Sequence, residues 1–429
     1  MIILKRGIKN SILIGSALFF FANIFSSFFS YLFQLLSGRI LNVADYGELV
    51  SLFSLGALIT TPIAILNPAV VNKVAFLNAK GDLKNLTKTF YSVSFLMMAF
   101  SIITFFGLII FSDVLYRNLK FSSIGVLFPF SIFVAIGIIA GIPNHFLNGL
   151  LRFKGSAFLS FFSNLSKLVF GIGLTLFIKN VYGSFLGLSV GLILTFVAGL
   201  FLLNKNLRFF DKENIAFKAS IIRSLLKYSI PASFIIIPTS FLINMDIVIA
   251  KKIFDPNTAG IFAGISIIGK AIFYGISGIS IILFPLISEK VAKGQDASKI
   301  FIKALLVIGA ICIFGIAVYT AFPNLLVAIL FGKTYFSAIP YLGIYSVFIS
   351  IYSLINAYST YFMASSKFNY GYILFIGLLI YFAGSLFFVS TIFGLIYNGI
   401  VSYSLILLAS LWYHKKNGNK AFIGNSTDI

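Results

Sequence analysis

The sequence predicts an all-α polytopic membrane protein, with about 12 transmembrane helices arranged as two pseudo-symmetric bundles of six. Apolar residues make up 59% of the 429 residues and charged residues only 10%. A soluble domain has about 25% charged residues and needs them to form its surface. Apolar runs of about 20 residues, which suffice to cross a bilayer, recur along the whole chain. The two halves of the chain also share short sequence matches, described below.

The predicted spans are apolar stretches bounded by charged or turn residues. The first follows Lys5, Arg6 and Lys9 and continues to about Leu36 without a small-residue cleavage site, so we expect a retained span rather than a signal peptide. The spans are 11–36, 48–66, 90–111, 124–147, 157–178, 182–203, 230–250, 260–284, 302–321, 339–363, 369–389 and 392–413.

The distribution of lysine and arginine predicts the orientation, because cytoplasmic loops retain basic residues. With both termini in the cytoplasm, 23 of the 32 lysines and arginines fall on the cytoplasmic side and 7 on the opposite side. The sequence therefore predicts a multi-pass membrane protein with cytoplasmic N- and C-termini.

The longest interruption between spans divides the chain into equal sets of helices. It gives an N-terminal six-helix lobe at 1–204, a basic cytoplasmic linker at 205–229, and a C-terminal six-helix lobe with a short tail at 230–429. A repeat of six spans places both halves in the same orientation, related by an axis along the membrane normal. Transporters that move two lobes around a central site have this arrangement.

Two matches between the halves support the repeat. The segment from Arg39 to Gly47 after span 1 resembles the segment from Lys252 to Gly260 after span 7, with the basic residue and the glycine equally spaced. At the ends of spans 2 and 8, Pro68 and Lys73 match Pro285 and Lys290, and a Lys-Gly pair follows each. Because the spacing between the first and second match differs by four residues, we expect one extra helical turn in the second half.

Several function classes are disfavoured by composition. The net charge of +21 is distributed over short segments between apolar runs, so nucleic-acid binding is not expected. The single cysteine, Cys312, excludes an intrachain disulfide, and the two histidines, His145 and His414, are too few and too far apart for a zinc centre. We expect no cofactor and no metal site.

Five elements in order along the chain resemble the polysaccharide flippases of the multidrug, oligosaccharidyl-lipid and polysaccharide exporter superfamily. They are the segment 38–47, Leu147 to Phe153, Asp246, Leu283 to Ser288, and Leu330 to Tyr335. The resemblance implies a protein that moves an undecaprenyl-diphosphate-linked oligosaccharide across a bacterial plasma membrane for surface polysaccharide such as O-antigen. It implies membrane lipids as surroundings, and a polysaccharide polymerase and glycosyltransferases as possible partners.

Three ionisable residues are predicted to lie within spans, where an unpaired charge costs about 3 kcal/mol or more unless a cavity or partner offsets it. Lys270 lies ten residues past Gly260, or about 15 Å along a helix, and is the first candidate for a phosphate contact. Lys270 can instead extend to the interface or pair structurally. Lys167, at comparable depth, is a candidate for a position facing the cavity. Asp246 can bind a coupling cation, hold a basic residue of the other lobe such as Arg39, or remain a satisfied acid. Because the depths of Asp246 and Lys270 differ by about 9 Å, no direct pairing is expected.

Further candidates are polar residues of span 1 and basic residues at the span ends. Asn23 and Gln34 can hydrogen-bond a sugar, although bonding between helices is the more common use. Arg39, Lys251 and Lys252 are expected to form an outer basic rim, and Lys73 and Lys290 an inner one.

Two other functions remain open from the sequence. A cation-coupled multidrug exporter of the same superfamily would share the repeat, although more membrane carboxylates are expected for cationic substrates. A membrane polysaccharide polymerase or glycosyltransferase would need an acidic base, a metal site or a large external loop. No outer loop exceeds about twenty residues, and no acidic pair lies in or beside a span. The chain is therefore expected not to be an enzyme.

Overall fold

The computed structural model describes residues 26–204 and 217–417. Within these residues every regular element is a helix, and 11 helical segments are long and apolar enough to cross a membrane. The predicted all-α membrane fold is confirmed. The first predicted span, 11–36, lies partly outside the described residues, and its described part belongs to helix α1, residues 26–40. Helices dominate because the bilayer offers no water to the backbone, so each segment must satisfy its own amide and carbonyl groups.

The chain divides into two compact units. The first comprises the described residues up to Leu52 and Ile59–Ile230, and the second comprises Phe53–Leu58 and the described residues from Pro231 onward. The predicted limits of the linker, 205–229, stay a prediction, because residues 205–216 lie outside the described residues. After α1, the helices up to the linker are α2 (Val43–Ala64), α3 (Leu66–Ala79), α4 (Leu83–Ile110), α5 (Ser112–Leu119), α6 (Leu127–Ala140), α7 (Ile142–Gly149), α8 (Phe153–Ile178) and α9 (Val181–Leu203).

Seven α-helices lie in the described residues from 217 to 417. The first begins at Ala219, inside the segment that the sequence assigned to the linker. They are α10 (Ala219–Ile253), α11 (Pro256–Ala292), α12 (Ser298–Ala321), α13 (Pro323–Leu330), α14 (Ile339–Ala364), α15 (Tyr370–Phe388) and α16 (Ile392–Asn417).

The first sequence match between the halves corresponds to equivalent helix starts. The Asn42 side chain accepts a hydrogen bond from the Asp45 amide and caps α2, and Asp255 accepts from Asn257 and Thr258 and caps α11. Asparagine and aspartate are preferred at this position because their oxygen satisfies an amide that the helix leaves unpaired. Each of the two matching loops therefore supplies the N-cap residue of the helix that follows it.

The predicted extra helical turn in the second half is wrong. The α2 and α3 pair, Val43–Ala79, and α11, Pro256–Ala292, each run for 37 residues. Gly81 and Gly294 then follow at the same distance from the helix end, both with positive φ near 70°. Lys73 and Lys290 are consequently not equivalent positions. A shift of four residues keeps a side chain on the same helix face, so the helical periodicity itself produced a match one turn out of register.

Other elements also recur in the two halves. The third span of each half, α4 or α12, is followed by a helix of eight residues, α5 or α13, and then by a short 3-10 helix, Ile124–Val126 or Lys333–Ala338. In contrast, the span formed by α6 and α7 is interrupted at Gly141, whereas its counterpart α14 is continuous. The shared order supports the repeat, while the superposition of the halves stays a prediction.

Helices α8 and α9 pack against each other through three glycines on one face of α9. A Cβ at Gly183 or Gly187 would overlap the α8 backbone at Leu174 or Phe170, and a Cβ at Gly191 would lie 2.9 Å from the Lys167 amide nitrogen. Small residues spaced by four allow such close backbone approach between membrane helices. This contact holds the segment of α8 that carries Lys167.

Candidate functional site

A buried ion pair lies within the second unit. The Lys270 ammonium on α11 donates to Asp246 Oδ1 on α10 at 3.0 Å. Both residues are nearly inaccessible, with 3% of Lys270 and 1% of Asp246 exposed. Since isolated charges are costly in such surroundings, the two charges stabilise each other.

The second carboxylate oxygen of Asp246 is held by two hydroxyl groups. Ser266, one turn before Lys270 on α11, donates to Oδ2 at 3.0 Å, and the Tyr345 hydroxyl on α14 donates to the same oxygen at 2.7 Å. The two hydroxyl oxygens lie 2.8 Å apart. The carboxylate therefore has a partner on each oxygen and joins α10, α11 and α14 into one buried polar cluster.

A glycine makes the Tyr345 contact possible. A Cβ at Gly269 would overlap the Tyr345 ring, so glycine at this position leaves room for the ring whose hydroxyl contacts Asp246. The adjacent carbonyl of Ile268 accepts a hydrogen bond from Tyr319 of α12 at 2.7 Å. Helix α11 is thus fixed from two sides at the level of the ion pair.

The prediction that Lys270 and Asp246 do not pair is wrong. That prediction compared depths along two straight helix axes and ignored the direction of the side chains. Side chains of a helix point towards its N-terminus. Because α10 and α11 run in opposite directions across the turn at Phe254 and Asp255, Asp246 and Lys270 lean towards each other, and the long lysine side chain covers the remaining distance.

The basic partner of Asp246 is Lys270 of the same unit. Arg39, the partner suggested from the sequence, lies on α1 of the other unit and is exposed.

Two further candidates, Lys167 and Gln34, lie on helices α8 and α1 of the first unit, which contact each other. Lys167 on α8 and Gln34 on α1 are both partly buried. Neither the Lys167 ammonium nor the buried Gln34 Oε1 has a hydrogen-bond or ionic partner among the residues that the structure describes. Asn23 lies outside the described residues.

The five predicted rim residues differ in exposure. Arg39 and Lys252 are exposed, Lys73 and Lys290 are partly buried, and Lys251 is 2% exposed. Lys290 donates to the Gln295 side chain at 2.8 Å. Lys251 is therefore packed within the protein rather than displayed on a rim.

Sequence reasoning missed three buried polar residues. Ser266 and Tyr345 complete the Asp246 site, and the spacing of Ser266 four residues before Lys270 was a usable signal. Glu48 in α2 is 1% exposed and accepts hydrogen bonds from the Ser122 amide and hydroxyl at 2.7 and 3.1 Å. Sequence reasoning missed Glu48 because it lies at the edge of an apolar run. Across the described residues, no group of three or more histidines, cysteines or acids is placed to hold a metal.

Several solved structures of transporters have this fold. An inward-facing multidrug resistance transporter of the MATE family, within the MOP superfamily, aligns with a TM-score of 0.75 at 13% identity, covering 90% of this chain and 95% of that one. A MOP superfamily transporter from Pyrococcus furiosus, described as having a binding pocket of reverse polarity, aligns with a TM-score of 0.68 at 13% identity over 94% of this chain and 95% of that one. The chain thus has the fold of MOP superfamily transporters.

Sequence comparison defines the family more closely. The model of the polysaccharide biosynthesis protein family matches residues 12–291, and the chain belongs to that family. An uncharacterized membrane protein of Methanocaldococcus jannaschii is 24% identical over 363 residues, which cover 78% of this chain and 81% of that protein. The family and the transporter fold agree with the resemblance found in the sequence.

Proposed function

We propose that the protein is a flippase that moves an undecaprenyl-diphosphate-linked oligosaccharide across a plasma membrane by alternating access of its two lobes. The family match over residues 12–291 carries this proposal, because it links the transporter fold to polysaccharide biosynthesis. Such a substrate brings a diphosphate and sugars, which cannot cross hydrocarbon unaided and need a polar path through the protein.

The charges within the membrane support an anionic substrate. Asp246 is neutralised by Lys270. Lys167 makes no ion pair with any residue that the structure describes, so its amine is available to an anionic group. A multidrug exporter of cationic compounds would need the opposite balance.

The test is export of surface polysaccharide in the organism that encodes the protein. Deleting the gene should remove surface glycan and cause its lipid-linked precursor to accumulate in the cytoplasmic leaflet, and supplying the gene again should restore export. Glycan should be measured per unit of membrane protein. Unchanged surface glycan in the deletion strain, together with lost tolerance to cationic drugs, would favour the multidrug exporter instead.

The proposed orientation has both termini in the cytoplasm. Cysteines at Asn180 and Ser337, in a background in which Cys312 is replaced, should react with an impermeant thiol reagent in intact cells. Cysteines at Gly81 and Gly294 should react only after permeabilisation. Reversed labelling of the two pairs would contradict the distribution of basic residues as an orientation signal.

A further inference from the structure

Lys167 differs from the other lysine in the middle of a span. It lies near the centre of α8, which has 26 residues, and is only partly buried. Its ammonium makes no ion pair or hydrogen bond with any residue in the described ranges, whereas the Lys270 ammonium is 3.0 Å from Asp246. An unpaired charge at this depth is costly and marks a functional site.

A second unsatisfied polar group lies on the neighbouring helix, about one turn further along. Three contacts align α1 with α8: Phe29 and Phe161 have ring centroids 5.5 Å apart, the Ser30 hydroxyl donates to Asn164 Oδ1 at 2.6 Å, and the Phe33 ring lies against Gly171. Residue numbers increase together in these contacts, so the helices are parallel.

Gln34 follows Ser30 by one turn, and Lys167 follows Asn164 by slightly less than one turn. Because Phe33 contacts Gly171, which follows Lys167 by four residues, Gln34 lies about one turn further along the helix pair than Lys167. Both residues follow the Ser30–Asn164 hydrogen bond on the helix faces that form it. Gln34 Oε1 is buried and has no donor among the described residues. Buried amide oxygens are rarely left without a partner, so this group requires an explanation.

The two groups define the chemistry of a ligand. An ammonium offers up to three donors and a positive charge, which suits a phosphate oxygen, and an amide oxygen accepts a hydrogen bond from a hydroxyl or amide group. We infer that Lys167 and Gln34 bind the junction between the diphosphate and the first sugar of a lipid-linked saccharide. This inference rests on the proposed flippase function and specifies the residues that contact its substrate.

The same geometry assigns Lys270 a different task. With Asp246 as its partner and 3% of its surface exposed, Lys270 joins α10 to α11 and is a positioning residue for the second unit. The phosphate contact expected at Lys270 from the sequence is therefore placed at Lys167, on a helix that carries no membrane carboxylate.

Binding to purified protein in lipid nanodiscs tests this assignment. The probes are farnesyl diphosphate and its conjugate with N-acetylglucosamine, measured by calorimetry. Lys167→Met should weaken binding of both probes at least about tenfold, as expected for loss of one charge-assisted hydrogen bond, and Lys167→Arg should retain part of the affinity. Gln34→Met should weaken only the sugar-bearing probe, by about threefold or more.

The matched control is the double variant Lys270→Met with Asp246→Asn, which removes the other mid-span lysine and its counter-ion together. It should bind both probes within about twofold of the wild-type protein. Wild-type affinity in Lys167→Met, equal loss in the double variant, or no binding to the wild-type protein would each overturn the assignment.

Folding of each variant is checked by its thermal midpoint, and Lys167→Met should unfold no earlier than wild type because it removes an uncompensated charge. The export assay in cells remains the separate test of the flippase function. A wild-type protein that restores export but binds no probe would contradict only the site.

Discussion

The ion pair between Asp246 and Lys270 allows a quantitative prediction. Replacing either residue alone, as Asp246→Asn or Lys270→Met, leaves the other charge buried, which costs about 3 to 5 kcal/mol of the free energy of unfolding. If the two effects were independent, the double variant would lose about 6 to 10 kcal/mol. Because removing both charges leaves none uncompensated, we expect the double variant to lose no more than either single variant. The coupling energy should then be about 3 kcal/mol or more.

The assay is unfolding of the four purified proteins in the same detergent. The exposed pair of Arg117 and Asp113 on α5 is the matched control, since its atoms lie 2.9 Å apart but the side chains are 74% and 56% exposed. Its coupling should stay below about 0.5 kcal/mol, because water screens both charges. Costs at Asp246 and Lys270 that add within about 0.5 kcal/mol would refute the pairing.

The remaining predictions concern a close contact and a helix cap. Gly269→Ala should lower the free energy of unfolding by about 1 to 3 kcal/mol, because the Tyr345 ring must move. Gly275→Ala, where a Cβ meets open space, should raise it by about 0.5 to 1 kcal/mol. Equal effects of the two substitutions in thermal unfolding would contradict the packing at Gly269. Asp255→Ala should cost about 1 kcal/mol at neutral pH. Hydrogen bonding, chiefly from Thr258, lowers the pKa of Asp255, so its ionised form favours the folded state at neutral pH and this advantage is lost as the pH falls below about 4. A difference between variant and wild type that stays constant in acid would show that the charge is not involved.

Hydropathy predicted most of the fold. Each predicted span from 48–66 onward lies on a helical segment that is long and apolar enough to cross a membrane. This success has a physical reason: a bilayer requires continuous helices of a minimum length, and both the length and the apolar composition can be read locally. The first match between the halves, made on the spacing of a basic residue and a glycine, falls on two loops that each supply a helix cap, Asn42 and Asp255.

Matches inside helices were less reliable. The pairing of Lys73 with Lys290 failed because a helix face repeats about every four residues, so a pattern of prolines and lysines fits almost equally well one turn away. The lengths of the two spans, 37 residues each, resolve the register.

The sequence by itself determined that the chain is a helical membrane protein and that Lys167, Asp246 and Lys270 lie within its spans. Only the tertiary structure decided which of those charges are neutralised. Asp246 meets Lys270 and Tyr345 because three helices converge and because side chains on antiparallel helices lean towards each other. Lys167 has no such partner among the described residues. Hydropathy depends on each segment alone, whereas charge pairing depends on contacts between residues far apart in the chain.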